Sequence, residues 1–216
     1  MLSSPLVDIK TTEPVILGQG QWITLEQLHY FDINGVKRPW ERCVRKNTAA
    51  PLADAVDIYA ILKSDEGSHL LLVVQYRPAI EKYAIEFPSG LIDIQETPLD
   101  AACRELREET GYQVEKDAIR LSTRSVCYEP GLTNSTCYVA HVSIDTTSIT
   151  TPPIPEREQD EWSLQNLILP INNLMTHLTE LQDKHNLIID SRVYAFAAGL
   201  DLVGFIWLLS TPIPPL

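Results

Sequence analysis

Three glutamates lie close together in the segment from residue 90 to residue 112, GLIDIQETPLDAACRELREETGY. Glu108 and Glu109 follow Glu105 by three and four residues, so a helix brings the three carboxylates onto one arc of its surface. Like charges at these spacings repel by roughly 0.2–0.5 kcal/mol per pair, and carboxylates in the last turn oppose the helix dipole. A solvated acidic face is the ordinary explanation. Because a glycine-containing loop precedes the helix, we instead predict a site for a hard divalent cation such as Mg²⁺, which takes oxygen ligands.

The helix that carries these glutamates has clear start and stop signals. Thr97 is suited to the N-cap, Pro98 to the first helical position, and Asp100 completes a pattern like a capping box. Gly111 is a natural residue just beyond the C-terminus. These signals predict a helix over residues 98–110 whose apolar stripe faces the core. The stripe consists of Leu99, Ala102, Cys103 and Leu106.

The spacing of the charged residues resembles a known family signature. Gly90, five residues, Glu96, seven residues and then RELREETGY, residues 104–112, agree with every fixed position of the Nudix box. The resemblance implies hydrolysis of a nucleoside diphosphate linked to another moiety, with Mg²⁺ or Mn²⁺ as cofactor. It also implies an α+β Nudix fold, a three-layer α/β/α sandwich around a mixed sheet, here with additional antiparallel strands at the N-terminus.

The same resemblance assigns roles to the residues of the box. Glu105 and Glu109 are expected to be metal ligands, with Glu108 close behind and the carbonyl of Ser89 as a further ligand. Arg104 is expected to orient these carboxylates by pairing with them. Metal ions on the pyrophosphate would neutralise developing charge and lower the pKa of a bound water.

Three more glutamates are candidates for the catalytic machinery. Glu96 lies on the loop before the helix and is expected either to anchor that loop or to join the metal site. The general base in related enzymes lies on a late loop, and Glu161 in PEREQDEWSL is the best match, with Glu158 as the alternative. A solvated loop carboxylate is the competing explanation for both.

The substrate is indicated by segments outside the box. IEFPSGLID before it and YEPGLTNST after it, with Pro130, resemble the ADP-ribose and ADP-sugar pyrophosphatase branch, and the resemblance to the eukaryotic ADP-sugar pyrophosphatases extends over nearly the whole chain. It implies that Trp22 and Trp40 sandwich the adenine and that Glu41 accepts a hydrogen bond from the adenine amino group. It also implies that Arg45 and Arg77 hold phosphate and the terminal ribose, and that Leu91 contacts the substrate beside the box.

Two features of this assignment are open. Strand packing is the competing explanation for the tryptophans. Glu129 stands where the branch commonly has an aspartate that contacts ribose, so the sugar preference is not fixed.

The predicted reaction is the hydrolysis of ADP-ribose to AMP and ribose 5-phosphate. The alternatives are other ADP-sugars, NADH, a dinucleoside polyphosphate, an oxidised guanine nucleotide, or a non-catalytic ADP-ribose sensor.

The charge, the cysteines and the N-terminal sequence limit the partners and the cellular location that the chain is expected to have. The chain has 216 residues and a formal net charge of −12, which argues against binding nucleic acid through its phosphates. The four cysteines show no metal-binding spacing, and the N-terminus has no signal-peptide pattern, so free thiols and a cytoplasmic or nuclear location are expected. The resemblance further implies a homodimer in which strands near residues 20–45 cross the interface.

The chain divides into three predicted regions. Residues 1–50 form an N-terminal strand region with a hairpin turn at Asn34-Gly35, residues 51–199 form the Nudix domain, and residues 200–216 form an apolar tail. Strands are expected in DAVDIYAILK, HLLLVVQYRP, KYAIEFPSG, IRLSTRSVCYEPG, STCYVAHVSID and WSLQNLILPI, with late helices in INNLMTHLTELQDKH and DSRVYAFAAGLDL. The apolar run 193–209 contains one charge, Asp201, and is expected to be a buried or dimer-packed helix rather than a membrane anchor.

Overall fold

A computed structural model describes the backbone of residues 6–46 and 53–210, and side chains except those of residues 160 and 204–210. The first part of the chain forms an antiparallel three-stranded sheet in the order β1-β2-β3. Its strands are β1 Val15–Gln19, β2 Ile23–Phe31 and β3 Lys37–Arg45. Gly35 has a φ of 74°, which a glycine adopts readily, so the predicted hairpin turn is confirmed.

A nine-stranded mixed sheet forms the centre of the molecule. Its main path runs β12-β6-β5-β4-β10-β8, with β11 paired to β5, β7 to β4 and β9 to β10. The pairs β4–β10 and β6–β12 are parallel, and the others are antiparallel. The strands are β4 Ala55–Ser64, β5 Gly67–Arg77, β6 Lys82–Glu86, β7 Ser89–Leu91, β8 Ile119–Leu121, β9 Val126–Cys127, β10 Thr136–Asp145, β11 Gln165–Pro170 and β12 Ile188–Ile189.

Helices cover both faces of this sheet, because alternate residues of its strands point to opposite sides. The helices are α1 Pro98–Glu105, which continues as a π-helical turn over Leu106–Thr110, then α2 Leu174–His185 and α3 Ser191–Ser210. On β4, Ile58 and Ala60 pack in one core with α1, whereas Tyr59 and Ile61 pack in a second core with α2 and α3. The fold is therefore the predicted three-layer sandwich.

One predicted region boundary lies outside the described residues, and the other lies within a helix. The junction between residues 50 and 51 lies within residues 47–52, outside the described part of the chain. The boundary at residue 199 lies inside α3, which continues without a break to Ser210. In the part of the chain whose side chains the structure describes, which ends at residue 203, no helix is long and apolar enough to cross a membrane. The first half of α3 packs on the sheet through Val193 and Ala197, whereas Leu202 and Val203 are exposed, so the burial expected for the run 193–209 is seen only at its start.

Candidate active site

Gly90 lies where the central sheet meets the acidic helix. It occupies β7, opposite Val56 of β4, and faces the side chain of Glu105. A Cβ atom at residue 90 would lie 1.8 Å from Oε1 of Glu105 and 1.9 Å from its carboxyl carbon. Only glycine therefore leaves room for this carboxylate against the strand.

The start of α1 agrees with the predicted helix signals. The side chain of Thr97 accepts a hydrogen bond from the backbone of Asp100, and the Asp100 carboxylate accepts one from the backbone of Thr97. Leu99, Ala102, Cys103 and Leu106 pack in the core cluster below, as the apolar stripe predicts.

The end of the helix differs from a regular α-helix. Leu106–Thr110 form a π-helical turn, and Gly111 ends it with a φ of 83°. The hydroxyl of Thr110 donates to the carbonyl of Leu106, and Nδ2 of Asn166 on β11 donates to the carbonyl of Thr110 over 2.9 Å. These side chains satisfy carbonyl groups that a helix end leaves without a partner, and π turns of this kind often occur at functional sites.

Three carboxylates meet beside β7. Glu105, Glu109 and Glu161 each offer one oxygen, and these oxygens all lie within 4.8 Å of one another. Glu105 is 8% exposed and Glu109 only 2%. Burial raises the pKa of Glu105 to about 7, although the neighbouring Arg104 lowers it, and burial together with the charge of Glu105 raises the pKa of Glu109.

This cluster fits a divalent cation on chemical grounds. All its donors are carboxylate oxygens, which Mg²⁺ and Mn²⁺ prefer. Burial raises the pKa values of Glu105 and Glu109, as expected for buried negative charges that the protein compensates only in part and that a cation would stabilise.

Arg104 holds several box residues together. Its Nε and Nη2 atoms both donate to Glu96 over 2.9 Å, so Glu96 anchors the preceding loop. Its Nη1 atom donates to Glu105 over 2.7 Å and to Glu108 over 3.1 Å, and Nη2 also donates to the carbonyl of Leu91. This geometry agrees with the orienting role predicted for Arg104.

Two of the predicted metal ligands have other contacts. Glu108 lies outside the group of three carboxylates and pairs with Arg104 and with Arg107. The backbone N–H of Ser89 donates to Glu109 over 2.9 Å. The Ser89 group that meets this glutamate is thus its N–H, and ligation through its carbonyl stays a prediction.

The late loop brings its glutamates to the same place. Glu158 precedes a short 3₁₀ helix, Gln159–Glu161, and Glu161 is its last residue. The backbone N–H of Glu158 donates a hydrogen bond to the carboxylate of Glu161 over 2.8 Å. Both residues line a cavity of about 640 Å³ together with Glu105, Glu108 and Glu109. Glu161 was predicted as a general base but not as a member of the carboxylate cluster, because it lies far from the box in the sequence.

A second cavity, of about 740 Å³, adjoins the first. Both cavities are lined by Arg77, Ser89, Gly90 and Leu91, so they meet along β7. The predicted substrate residues Arg45 and Glu129 line the second cavity.

The guanidinium of Arg77 is fixed by a residue that sequence reasoning missed. Its Nε and Nη2 atoms donate to the two oxygens of Glu86 on β6, over 2.8 and 2.6 Å. Glu86 is buried, and pairing with it raises the pKa of Arg77, so the charge of Arg77 is held at the junction of the two cavities.

The predicted adenine-binding residues do not line these two cavities. Trp22, Trp40 and Glu41 lie on the N-terminal sheet, and the tryptophans are 71% and 45% exposed. The backbone carbonyl of Trp22, just before β2, accepts a hydrogen bond from the N–H of Lys46, just after β3, whereas Trp40 pairs with Leu28 of β2. Six residues along the strand pair correspond to about 20 Å, so one chain does not bring both rings onto one purine.

Comparison with known proteins gives consistent relatives. A profile of the NUDIX domain matches residues 51–189. The chain is 35% identical to the ADP-sugar pyrophosphatase of Mus musculus over 202 residues, 92% of this chain and 89% of the relative. It is 32% identical to the ADP-ribose pyrophosphatase of Saccharomyces cerevisiae over 183 residues, 83% of this chain and 77% of the relative. A crystal structure of an ADP compounds hydrolase shares the fold, with a TM-score of 0.57 and 21% identity over 82% of this chain and 86% of that one.

Proposed function

Because the chain belongs to the Nudix hydrolase family, we propose that it hydrolyses the pyrophosphate bond of ADP-ribose, and of other ADP-sugars, to AMP and a sugar phosphate. One observation carries this proposal. The buried carboxylates of Glu105 and Glu109 and the partly buried carboxylate of Glu161 line one cavity, and Arg77 lines both this cavity and the adjoining one, which Arg45 also lines. The relatives named for ADP-ribose and ADP-sugars, which match along most of this chain, support the choice of substrate.

A divalent cation, Mg²⁺ or Mn²⁺, would be held by Glu105 and Glu109, with Glu108 and the Ser89 carbonyl as further candidates, and would supply charge neutralisation on the pyrophosphate. Side chains of the protein bind the phosphates and accept the proton of the attacking water. Arg77, fixed by Glu86, binds a phosphate oxygen at the junction of the two cavities.

The bond-making step needs an acceptor for the proton of the attacking water. The oxygen of this water forms a bond to one phosphorus while the bond from that phosphorus to the bridging oxygen breaks. Glu161, within 4.8 Å of the other two carboxylates, accepts the proton, and the bridging oxygen leaves with the second phosphate. Glu158 is a less favourable base because it lies outside that group of carboxylates.

We propose that the active protein is a homodimer. In one chain the two tryptophans lie about 20 Å apart along the N-terminal sheet, so an adenine sandwich requires Trp22 of one copy and Trp40 of the other. The sheet also exposes apolar side chains that an interface would cover. They are Val15, Ile16, Leu17, Ile23 and Leu25.

Release of AMP from ADP-ribose in the presence of Mg²⁺ tests the proposed reaction. Glu109→Gln should reduce kcat by at least about a hundredfold, because it removes a charged group from a preorganised electrostatic site. Glu115→Gln, at an exposed residue outside both cavities, is the matched control and should keep wild-type turnover. Turnover by Glu109→Gln at the wild-type rate would contradict the site, and no AMP release by the wild type would contradict the reaction.

A further inference from the structure

An ion cluster that the hydrolysis step does not use lies at the wall of the larger cavity. Asp57, on β4, is only 1% exposed and accepts a hydrogen bond from Nη1 of Arg192 over 2.6 Å. The Nε and Nη2 atoms of Arg192 donate to the two oxygens of Asp190 over 2.8 and 2.9 Å. Every nitrogen of this guanidinium is therefore engaged by a carboxylate, which is the condition for keeping such charges away from water.

The cluster has a rigid base. Arg192 belongs to the first turn of α3, and its own backbone N–H donates to Asp190 over 2.7 Å. One turn further along, the ring of Phe196 makes edge contacts with Tyr59 of β4 and with Phe87, which follows β6. The position of the guanidinium is thus set by the packing of α3 on the sheet.

Tyr128 connects the cluster to the cavity. Its hydroxyl donates to the second oxygen of Asp57 over 2.9 Å, and its ring lies 4.7 Å from the guanidinium carbon of Arg192. Burial raises the pKa of Tyr128, so the hydroxyl remains a proton donor at neutral pH. The side chain is held at its hydroxyl by a hydrogen bond and at its ring by a cation–π contact.

The next residue in the chain is Glu129, the predicted sugar contact. The backbone carbonyl of Glu129 accepts hydrogen bonds from Leu132 and Thr133, and the carbonyl of Leu132 accepts one from Cys43 of β3. The loop over residues 128–133 is therefore fixed between the N-terminal sheet on one side and the ion cluster on the other. Tyr128, Glu129 and Arg192 all line the same cavity.

We propose that Asp57, Arg192 and Tyr128 are positioning residues that set the wall of this cavity and thereby its affinity for the sugar end of the substrate. The charges of Arg192 and Asp57 are taken up by each other and by Asp190, so the wall presents to the ligand the ring of Tyr128 and the carboxylate of Glu129. A carboxylate accepts hydrogen bonds from hydroxyl groups and repels phosphate. Tyr128 and Glu129 therefore suit the hydroxyl groups of a sugar, whereas Arg45 and Arg77 in the same cavity suit the phosphates.

This inference rests on the proposed function, and its test separates the two ends of the ligand. Calorimetric titrations of ADP-ribose and of AMP into protein kept in EDTA measure binding without turnover. Tyr128→Phe, which removes one hydrogen bond, should weaken ADP-ribose binding by about threefold to tenfold and leave AMP binding within twofold of wild type. Arg192→Lys, which loses the planar fork, should weaken ADP-ribose binding by at least about tenfold.

Matched variants show whether the effect belongs to this cluster. Tyr138→Phe changes a partly buried tyrosine in the core beneath α1, and Arg120→Lys changes an exposed arginine of β8; both should bind ADP-ribose as the wild type does. In the turnover assay the Tyr128→Phe variant should show a raised KM with kcat within twofold of wild type.

Three outcomes would overturn the inference. The first is wild-type affinity for ADP-ribose in both Tyr128→Phe and Arg192→Lys, whatever their melting temperatures. The second is an equal loss of ADP-ribose and AMP binding, which marks a general structural role. The third is wild-type protein that neither binds nor hydrolyses ADP-ribose, in which case the proposed function fails together with the inference.

Discussion

Gly90 is the residue at which the sequence pattern and the geometry of the site coincide most directly. The glycine is needed because the Glu105 carboxylate occupies the space that a Cβ atom would take. Gly90→Ala should therefore displace Glu105 and lower kcat by about a hundredfold, the effect expected when a catalytic group moves by about 1 Å. The measurement is AMP release at saturating Mg²⁺.

Gly199→Ala provides the control for this substitution. Gly199 is exposed on α3, and a Cβ there meets nothing within 4 Å. This variant should keep wild-type kcat and a wild-type or slightly higher melting temperature, since alanine favours a helix. Full activity of Gly90→Ala would show that Glu105 does not need its present position.

The raised pKa of Glu105 predicts how stability depends on pH when metal is removed. Its pKa is about 7 in the folded protein against an ordinary 4.5, so the folded state binds more protons between these values. The stability that this carboxyl group contributes is fully present below about pH 4.5 and is lost as the pH rises through 7. The free energy of unfolding decreases by up to about 3 kcal/mol over this range. Urea unfolding in EDTA should show the free energy of unfolding decreasing from about pH 5 to about pH 8.

The Glu105→Gln variant tests the origin of that slope. Glutamine carries no charge, so the decrease should become smaller, with a remainder from Glu109, whose pKa is also raised. Glu115→Gln should leave the slope as in the wild type. A stability that is constant or increases over this range would contradict the assignment.

Among the secondary-structure elements, α1 shows what local sequence predicts and what it does not. Its start, its apolar stripe and its end at Gly111 follow from residues within the segment, and the structure confirms them. The π-helical last turn was not predicted, because its stabilisation depends on Asn166, which comes 56 residues after Thr110. Glu86 was missed for a related reason, since its partner Arg77 lies on the neighbouring strand β5.

The late loop is attached to the end of this helix. A Cβ on Gly111 would lie 2.8 Å from backbone carbons of Pro153 and Ile154, so the loop crosses directly over the glycine. Asn166 links the same two elements, because it donates to Thr110 and accepts a hydrogen bond from Arg157 over 3.1 Å. The loop that carries Glu161 is thus positioned by the helix that carries Glu105 and Glu109.

Loss of the Asn166 side chain should loosen this attachment. Asn166→Ala removes two hydrogen bonds, each with a net value of about 1 kcal/mol, and leaves the Thr110 carbonyl without that partner. We expect faster tryptic cleavage after Arg157 and a kcat lowered by about tenfold. Gln165→Ala, at the exposed neighbouring residue of β11, should behave as the wild type in both assays. Unchanged cleavage and kcat in Asn166→Ala would show that the loop is held elsewhere.

At the scale of the whole molecule, the site lies where three parts of the fold meet. The central sheet supplies Arg77 and Gly90, α1 supplies the box glutamates, and the N-terminal sheet supplies Arg45. Sequence motifs predicted each of these contributions because each residue lies within a short recognisable segment. They did not predict the ion cluster of Asp57 and Arg192, whose members are 135 residues apart and meet only through the packing of α3.

The N-terminal sheet gives the last prediction, which concerns how two copies share a site. If an adenine lies between Trp22 of one copy and Trp40 of the other, a dimer has two such sites. Trp22→Ala and Trp40→Ala should each be weakly active alone. In a heterodimer of the two variants, one site lacks both tryptophans and the other has both intact. After dissociation and reassociation of an equal mixture, half of the dimers are heterodimers, so activity at low ADP-ribose should recover to about a quarter of wild type. Wild-type protein treated in the same way is the control, and a mixture no more active than the mean of its two components would contradict a shared site.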